Sequence, residues 1–348
     1  MWFGCVGEPT PVEGTAAVRQ AAASVPFVAT PDRTTAVVVA WQAAERLGPC
    51  LAALTAQPGV AVLVVDNAST DRTREVVAAH PRVRLVDAGA NLGFAGGCSL
   101  GLRHVTTPYA ALVNDDAVVR PGWAAALEAE LDAHPECALV TGRVLLRDGR
   151  INSAGGVLDR YGRAADRGFG APAEGAFPVA EEVFFAPATA CLVRMSDVRA
   201  VGLLDERYFL YYEDVDLAWR SRLAGRTVRY TPDAVADHDH GASSGAAGGS
   251  SLHAFHDSRN RLLTLTKDAT ARRALGQALR LPLTAVSLGV KARSREERRH
   301  AVTIGRAWLS FLRLLPHALT ERRRVGASAV LTRTAVERAA ARLAGDRW

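Results

Sequence analysis

Asn114-Asp115-Asp116 closes the apolar run Tyr109-Ala-Ala-Leu-Val113 with an amide and two adjacent carboxylates. A short apolar run bounded by polar residues reads as a buried strand, and open α/β sheets hold their ligands beyond the carboxyl ends of strands. Neighbouring carboxylates repel, so both stay ionised only where a cation or hydrogen-bond donors compensate them. A hard divalent ion that also carries phosphate oxygens is the functional compensator. The alternative is a polar loop leading to the helix that Pro121-Gly122-Trp123 opens. A second group, Asp205 to Arg220, packs five aromatics beside five acids. Glu213 and Asp214 fall there at a helix start, where the dipole favours carboxylates and capping acids are common. A cap does not need both Asp214 and Asp216, and a carboxylate beside aromatic walls suits a general base. A third group is Ala236-Asp-His-Asp-His-Gly241. Its imidazoles suit a metal or phosphate, but two histidines one residue apart on a strand end point to opposite faces, so at most one shares a metal.

The elements that must position these groups alternate. Thr35 to Ala40 is a strand, and Ala43 to Gln57 a helix with apolar residues at Leu47, Cys50, Leu51 and Leu54. Val60 to Val65 is a second strand ending at Asp66-Asn67. Ser69 to Thr73 caps a helix running to about His80, and Val83 to Val86 is a third strand. Asn91-Leu-Gly-Phe-Ala-Gly-Gly97 then enters a helix ending near Val105. This alternation predicts right-handed βαβ units and a parallel sheet. Asp66 is placed to accept from a base N–H, and Asn91 with Gly93 lets backbone N–H groups approach a ligand; a plain turn and a plain helix entry are the competing readings. The glycines match neither the Gly-x-Gly-x-x-Gly fingerprint nor a P-loop. After the helix Trp123 to His134 come strands at Cys137 to Val140, Phe184-Phe185, Ala190 to Val193 and Arg226 to Val235. Between them Arg147 to Pro178 holds seven glycines and reads as a long loop, functionally an acceptor-side lid. Ser243 to Ser251 reads as a flexible loop.

The 348 residues carry a net charge of +6, unevenly spread. From Arg259 to Trp348 there are 20 Lys and Arg against 6 Asp and Glu, leaving 22 against 30 in the rest of the chain. An acidic body with a basic tail suits an anionic surface, lipid or nucleic acid. The five cysteines are widely spaced without Cys-x-x-Cys, as expected of core residues in a reducing compartment. Residues 1–33 contain Pro9, Pro11, Pro26 and Pro31, lack a basic n-region and read as an irregular extension. No run reaches the roughly 18 apolar residues of a membrane span. The expectation is a cytoplasmic protein that lies on a membrane without crossing it.

With these residues in place the chain resembles the family 2 glycosyltransferases of the GT-A fold, in particular their bacterial rhamnosyltransferase-like branch. The resemblance rests on Val65-Asp-Asn-Ala-Ser-Thr-Asp71, Asn91 to Gly97, Val113-Asn-Asp-Asp116, Ala190-Cys-Leu-Val-Arg194, Gly202 to Asp216, and Val235-Ala-Asp-His238 with Gly241-Ala-Ser-Ser244. It implies an α/β GT-A fold, Rossmann-like, with a mostly parallel sheet flanked by helices and a basic helical C-terminal extension. The implied segments are an irregular 1–33, a nucleotide-sugar transferase domain over 34–258 and the basic helical region 259–348. Ala40, Trp41, Asp66, Asn91, Gly93, Asn114 and Asp115 would then line the donor, with Asp66 on the nucleobase and Asp115 near the ribose or sugar. Asp116 and His238 would hold Mg²⁺ or Mn²⁺ against the diphosphate, and Asp214 would be the base. Glu213, Asp216 and Tyr212 are the acceptor-side candidates. The chain departs from the family in ending its first strand Ala40-Trp41-Gln42 instead of with a tyrosine and an asparagine. Cys98-Ser99 replaces an asparagine, and Asn114 replaces the first acid of the metal motif.

The activity implied is an inverting, metal-dependent transfer of a sugar from a nucleoside diphosphate to a hydroxyl of a glycan or lipid-linked acceptor. The branch favours dTDP-rhamnose as donor. In the tail, Trp308, Phe311, Leu312, Leu314 and Leu315 interleave with Arg306 and Arg313, and Arg322-Arg-Arg324 follows. These read either as a basic interfacial helix or as a helical lid packed on the core. Two rival classes stay in view. A sugar-phosphate nucleotidyltransferase would want a basic, glycine-rich signature after the first strand, which Ala40 to Gly48 lacks. A nucleic-acid-binding tail would want a reader motif and more aromatics, so nucleic acid is not expected as a partner.

Overall fold

The computed structural model describes residues 32–239 and 251–345. The expectations placed on residues 1–31, on His240 and on Gly241 to Ser250 lie outside the described residues.

Strand β1 (Thr34–Ala40) leads through α1 (Leu47–Thr55) to β2 (Val60–Asp66), α2 (Thr73–Ala78), β3 (Val83–Asp87), α3 (Gly93–Arg103) and β4 (Tyr109–Asn114). Then come β5 (Ala117–Val119), α4 (Trp123–Ala133), β6 (Cys137–Leu146), β7 (Ile151–Ser153), β8 (Gly156–Leu158), β9 (Ala164–Asp166) and β10 (Glu181–Glu182). β11 (Ala190–Arg194), α5 (Met195–Val201), α6 (Glu213–Leu223) and β12 (Thr227–His238) complete the sheet region. Four helices close the chain: α7 (Ser251–Asp268), α8 (Ala271–Lys291), α9 (Arg295–Ser328) and α10 (Arg333–Ala344).

The main sheet runs β10-β12-β6-β11-β4-β1-β2-β3, with β5 on β12 and β7 on β6. β4, β1, β2 and β3 are mutually parallel, whereas β11 lies antiparallel between β4 and β6. Ala40 pairs Asp66, Asp66 pairs Asp87 and Val39 pairs Asn114, so the polar strand ends form a row along one edge. Side chains alternate across a strand, and β1 shows the consequence: Val37 and Val39 pack with α3 and α6, while Ala36, Val38 and Ala40 pack with α1 and α4. Both faces are covered, which is why the strands read as continuous apolar runs. Cys50, Cys98, Cys137 and Cys191 are buried free thiols in this core.

The glycine-rich stretch 147–178 departs from the loop expected there. It contains β7, β8 and β9, and Ile151 to Leu158 are buried. Some of its glycines allow close contact: a Cβ on Gly156 would lie 2.2 Å from the Phe185 ring and one on Gly168 2.5 Å from that of Phe177. Phe184-Phe185 forms no strand of the main sheet; Phe185 makes a single bridge to Gly156, and the nearby strand is β10. The 258/259 boundary falls inside α7, whose second half is buried from Ser258 to Asp268.

That burial includes charge. Lys267 donates to Asp216 (2.6 Å) and Asp205 (2.8 Å), Arg220 pairs Asp216 (2.8 Å), and His317 of α9 lies 2.8 Å from Asp205. Burial pulls the Lys267 pKa down, but Asp216 and Asp205 more than reverse it and hold the ammonium charged. Lys267→Met removes the shared cation and leaves carboxylates buried, at a cost of about 3–5 kcal/mol. Urea denaturation of the variant should show that loss. A change below about 1 kcal/mol would mean the network is dispensable.

Candidate active site

The two carboxylates that the sequence sets side by side are turned to different partners. Arg46, just before α1, binds Asp115 through two parallel hydrogen bonds of 2.9 Å, Nε to Oδ1 and Nη2 to Oδ2. Asp116 faces β12 instead, with His238 Nε2 3.1 Å from its Oδ1. The Asp115 charge is thus compensated by a guanidinium, whereas Asp116 faces an imidazole nitrogen. The Asn114 side-chain amide lies 3.4 Å from the same Nε2, and the other ring nitrogen, Nδ1, lies 2.7 Å from Asn152 Oδ1. A proton on Nδ1 bonded to Asn152 leaves the Nε2 lone pair directed at Asp116. β12 reaches this position because Ala236, Asp237 and His238 pair with β5, which returns from Asp116 immediately after β4.

This donor set fits a divalent ion. It offers one carboxylate and one oriented imidazole, and the remaining ligands would be oxygens of the bound molecule, the manner in which Mg²⁺ is commonly held on phosphates. Among the described residues no group of three His, Cys, Asp or Glu side chains forms a protein-only cage.

Asp214 stands at the head of α6, where Oδ1 accepts the Val215 amide (2.7 Å) and Oδ2 the Ala188 amide (3.2 Å). Burial pushes its carboxyl up to about 6, partly opposed by these amides. Glu213 turns inward. Burial and the Asp214 charge raise its pKa well above the ordinary range, and its Oε2 has no hydrogen-bond partner among the described residues. Asp166 of β9, which the sequence reading passed over, shares the site. Burial pushes its carboxyl up to about 6, a Ser153 hydrogen bond opposes this, and the charges of Asp214 and His238 act on it with opposite signs.

The loop before α6 is conformationally costly. Phe209, Tyr211 and Tyr212 have φ of 62°, 69° and 72°, a left-handed region that side chains disfavour. α7 holds it there. The buried Asn260 side chain donates to the carbonyls of Tyr208 (3.0 Å), Leu210 (2.8 Å) and Tyr211 (2.7 Å), and Arg259 adds a bond to Tyr208 (2.7 Å). Asn260 is therefore a positioning residue for Asp214. If Asp214 is the reacting base, Asn260→Ala should lower turnover by about 10–100-fold with donor affinity nearly unchanged, because a small misplacement of a reacting group is costly. Unchanged turnover in a steady-state assay would contradict that role.

Several expected site residues carry structure. Asp216 is enclosed by Arg220, Lys267 and the Tyr208 hydroxyl, so it is not open to an acceptor. Tyr212 is buried, its hydroxyl donating to Gly162 O and accepting from Ala164 N, which pins the β8–β9 hairpin. Asp66 accepts the Ser69 amide (3.0 Å) and Arg74 (2.6 Å), so a base N–H would have to share it with these donors. Asn91 accepts from Gly93 N (2.9 Å) at the start of α3, and Gly93, with φ 70°, lies so close to Phe209 that a Cβ would sit 2.3 Å from its carbonyl. Both residues serve the loop packing rather than presenting free N–H groups. Ala40 is buried at the end of β1, and Trp41 is 50% exposed at the same edge. Nothing in the sequence marks Arg46, Asn152 or Asp166 beforehand, since each acts through a contact distant along the chain.

Residues 35–200 match the family described as Glycosyl transferase family 2. The chain carries a family 2 glycosyltransferase domain. Two curated relatives come from Mycobacterium tuberculosis. The chain is similar to a pre-mycofactocin glycosyltransferase, 32% identical over 197 residues, covering 54% of this chain and 39% of the relative. It therefore spans well under half of that relative. It is also similar to an N-acetylglucosaminyl-diphospho-decaprenol L-rhamnosyltransferase, 29% identical over 238 residues, covering 62% of this chain and 77% of the relative. In fold, the family 2 domain and its helices superpose on the mannosyltransferase PcManGT of Pyrobaculum calidifontis with a TM-score of 0.51 at 18% identity, covering 88% and 89% of the two chains. The expected GT-A architecture is thereby met, with the Asn114-Asp115-Asp116 edge inside the matched region.

Proposed function

We propose that the protein is an inverting glycosyltransferase that moves a sugar from a nucleoside diphosphate to an acceptor hydroxyl. The observation that carries the reading is the pairing of Asp116 with an Asn152-oriented His238 at the carboxyl edge of the sheet. Asp116 and His238 would hold Mg²⁺ or Mn²⁺, and the ion when bound supplies Lewis-acid neutralisation of the departing diphosphate. Asn114 adjoins that pair. Burial raises the Asp115 pKa, and Arg46 opposes that rise and fixes the carboxylate, which would meet a ribose or sugar hydroxyl. Asp214 takes the proton from the attacking acceptor hydroxyl at its carboxylate, with the walls of the Phe209 to Tyr212 loop excluding water.

The donor base and sugar are proposed from the similarity to the rhamnosyltransferase, which favours dTDP-rhamnose. Its printed substrate, a diphospho-decaprenol carrying N-acetylglucosamine, suggests a lipid-linked acceptor at the cytoplasmic membrane face. Among the described residues no helix is long and apolar enough to cross a membrane. The test is nucleoside-diphosphate release from dTDP-, UDP- and GDP-sugars with Mn²⁺ and a lipid-diphosphate acceptor, followed by NMR of the new linkage. Transfer with an inverted anomeric centre supports the reading; a retained configuration excludes Asp214 as the base of a single displacement.

A further inference from the structure

The aromatic residues expected to form a membrane-facing helix in the tail do not face outward. Phe311 is buried, and Trp308 packs on α8, its indole N–H donating to Ala278 O (3.0 Å). Arg322 is turned onto the end of α7, donating to Thr266 O (2.8 Å) and Ala269 O (2.7 Å). Val302 and Leu309 of α9 are exposed, but the most exposed run of large apolar residues in the tail lies on α8. Its inner side, with Ala278, Leu281 and Ala285, packs in a cluster with Leu262, Ile304 and Phe311. On the other side Leu275, Leu279, Leu283, Val286 and Val290 recur at helical spacing and are 60–82% exposed. Scattered surface hydrophobics are ordinary, but five large ones in a row on one helix are a patch that marks an interaction.

The charge around the stripe selects the partner. α8 carries Arg272, Arg273, Arg280 and Lys291 and has no acidic residue. At its C-terminal end a cleft of about 930 Å³ adds Arg293 and Arg299, with Glu296 and Glu297 as the acids. Two copies meeting through this face would bring cations together with few carboxylates to pair them. We propose that the outer face of α8 docks onto an anionic lipid surface, its apolar stripe entering the acyl boundary and Arg272 and Lys291, with Arg293 and Arg299 beside them, meeting the phosphates.

The placement also orients the enzyme. Arg273 donates to Asp159 O (2.7 Å) and the Arg280 guanidinium stacks over Tyr161 at 4.5 Å, so α8 is fixed to the β8–β9 turn. That turn continues into Gly162 and Ala164, which hold the Tyr212 hydroxyl two residues before Asp214. A membrane on α8 therefore adjoins the acceptor side of the site. This orientation rests on the transfer reading, whereas the docking itself does not.

Flotation of the full chain with phosphatidylcholine vesicles, with and without phosphatidylglycerol, tests the docking in the absence of donor or acceptor. The wild type should float with the anionic vesicles alone and be released by salt. Leu279→Glu/Leu283→Glu should weaken the partition by about 10²-fold or more, since two exposed leucines no longer leave water. Leu283→Glu/Val286→Glu provides a second reading should the first variant prove unfolded by circular dichroism. Equal binding of folded variants and wild type, binding to neutral vesicles alone, or no binding by the wild type overturns the proposal. So does a wild-type dimer in solution that either variant converts to monomer. Because nucleotide binding is read separately, vesicle binding without any donor binding would sink the transfer reading and leave this one standing.

Discussion

Asp214→Asn is expected to lower turnover by about 10²–10⁴-fold while leaving nucleotide-sugar affinity nearly intact. The substitution keeps the shape and one of the two backbone hydrogen bonds, since the amide oxygen still accepts from Val215 while the amide nitrogen cannot accept from Ala188, and it removes the capacity to take a proton. The burial that raises this carboxyl to about 6 also sets the pH dependence. As a base it must be ionised, so kcat/KM holds above that value and falls as pH drops through it. Asp166, also raised to about 6, feels the Asp214 charge, so the acid limb belongs to the two carboxyls together. Asp166→Asn should move the limb to lower pH, because one source of repulsion is removed. A variant Asp214→Asn that keeps turnover but loses donor affinity would contradict the assignment of the base.

Asp116→Ala should weaken metal-dependent nucleotide binding by at least about 10²-fold, with little change in whatever binding remains without metal. Asn152→Ala acts one contact further out. It frees His238 to rotate and lose its tautomer, which should cost about 10–100-fold in metal affinity. The pair distinguishes a ligand role from a supporting one, since Asn152 meets the imidazole at Nδ1, the nitrogen away from Asp116. Manganese titration followed by its effect on bound nucleotide reads both variants. Equal affinity in wild type and Asp116→Ala would remove the metal from this edge.

The parallel half of the sheet was legible in the sequence because it is local. β1, β2 and β4 are apolar runs ended by polar residues, and their ends fall where the pattern stops. The candidate residues Asn114 and Asp116 stand out for the same reason, since they follow where the apolar run of β4 stops, and Asp214 stands out by its place at the start of α6. What the sequence hid depends on pairing across distance. Adjacent acids at 115 and 116 suggested a shared cation, yet a strand end turns successive side chains apart, and Arg46 and His238 arrive from elements 69 and 122 residues away. The glycines of 147–178 suggested a loop, but they permit close packing of short strands against Phe185 and Phe177. Asp216 resembled a site acid because it lies two positions from Asp214. On α6 that spacing turns it to the opposite side, onto Lys267 and Arg220. In the tail the aromatic residues suggested an outer face, whereas large side chains more often fill the inner one, and the smaller leucines and valines of α8 were left outside.

The most direct test of the account is calorimetric binding of dTDP, UDP and GDP to the purified full chain, with and without Mn²⁺, repeated on Asp116→Ala. The account predicts Mn²⁺-dependent binding of one of the three nucleotides, lost in the variant. Absence of binding by all three, or binding that neither Mn²⁺ nor Asp116→Ala alters, would contradict it.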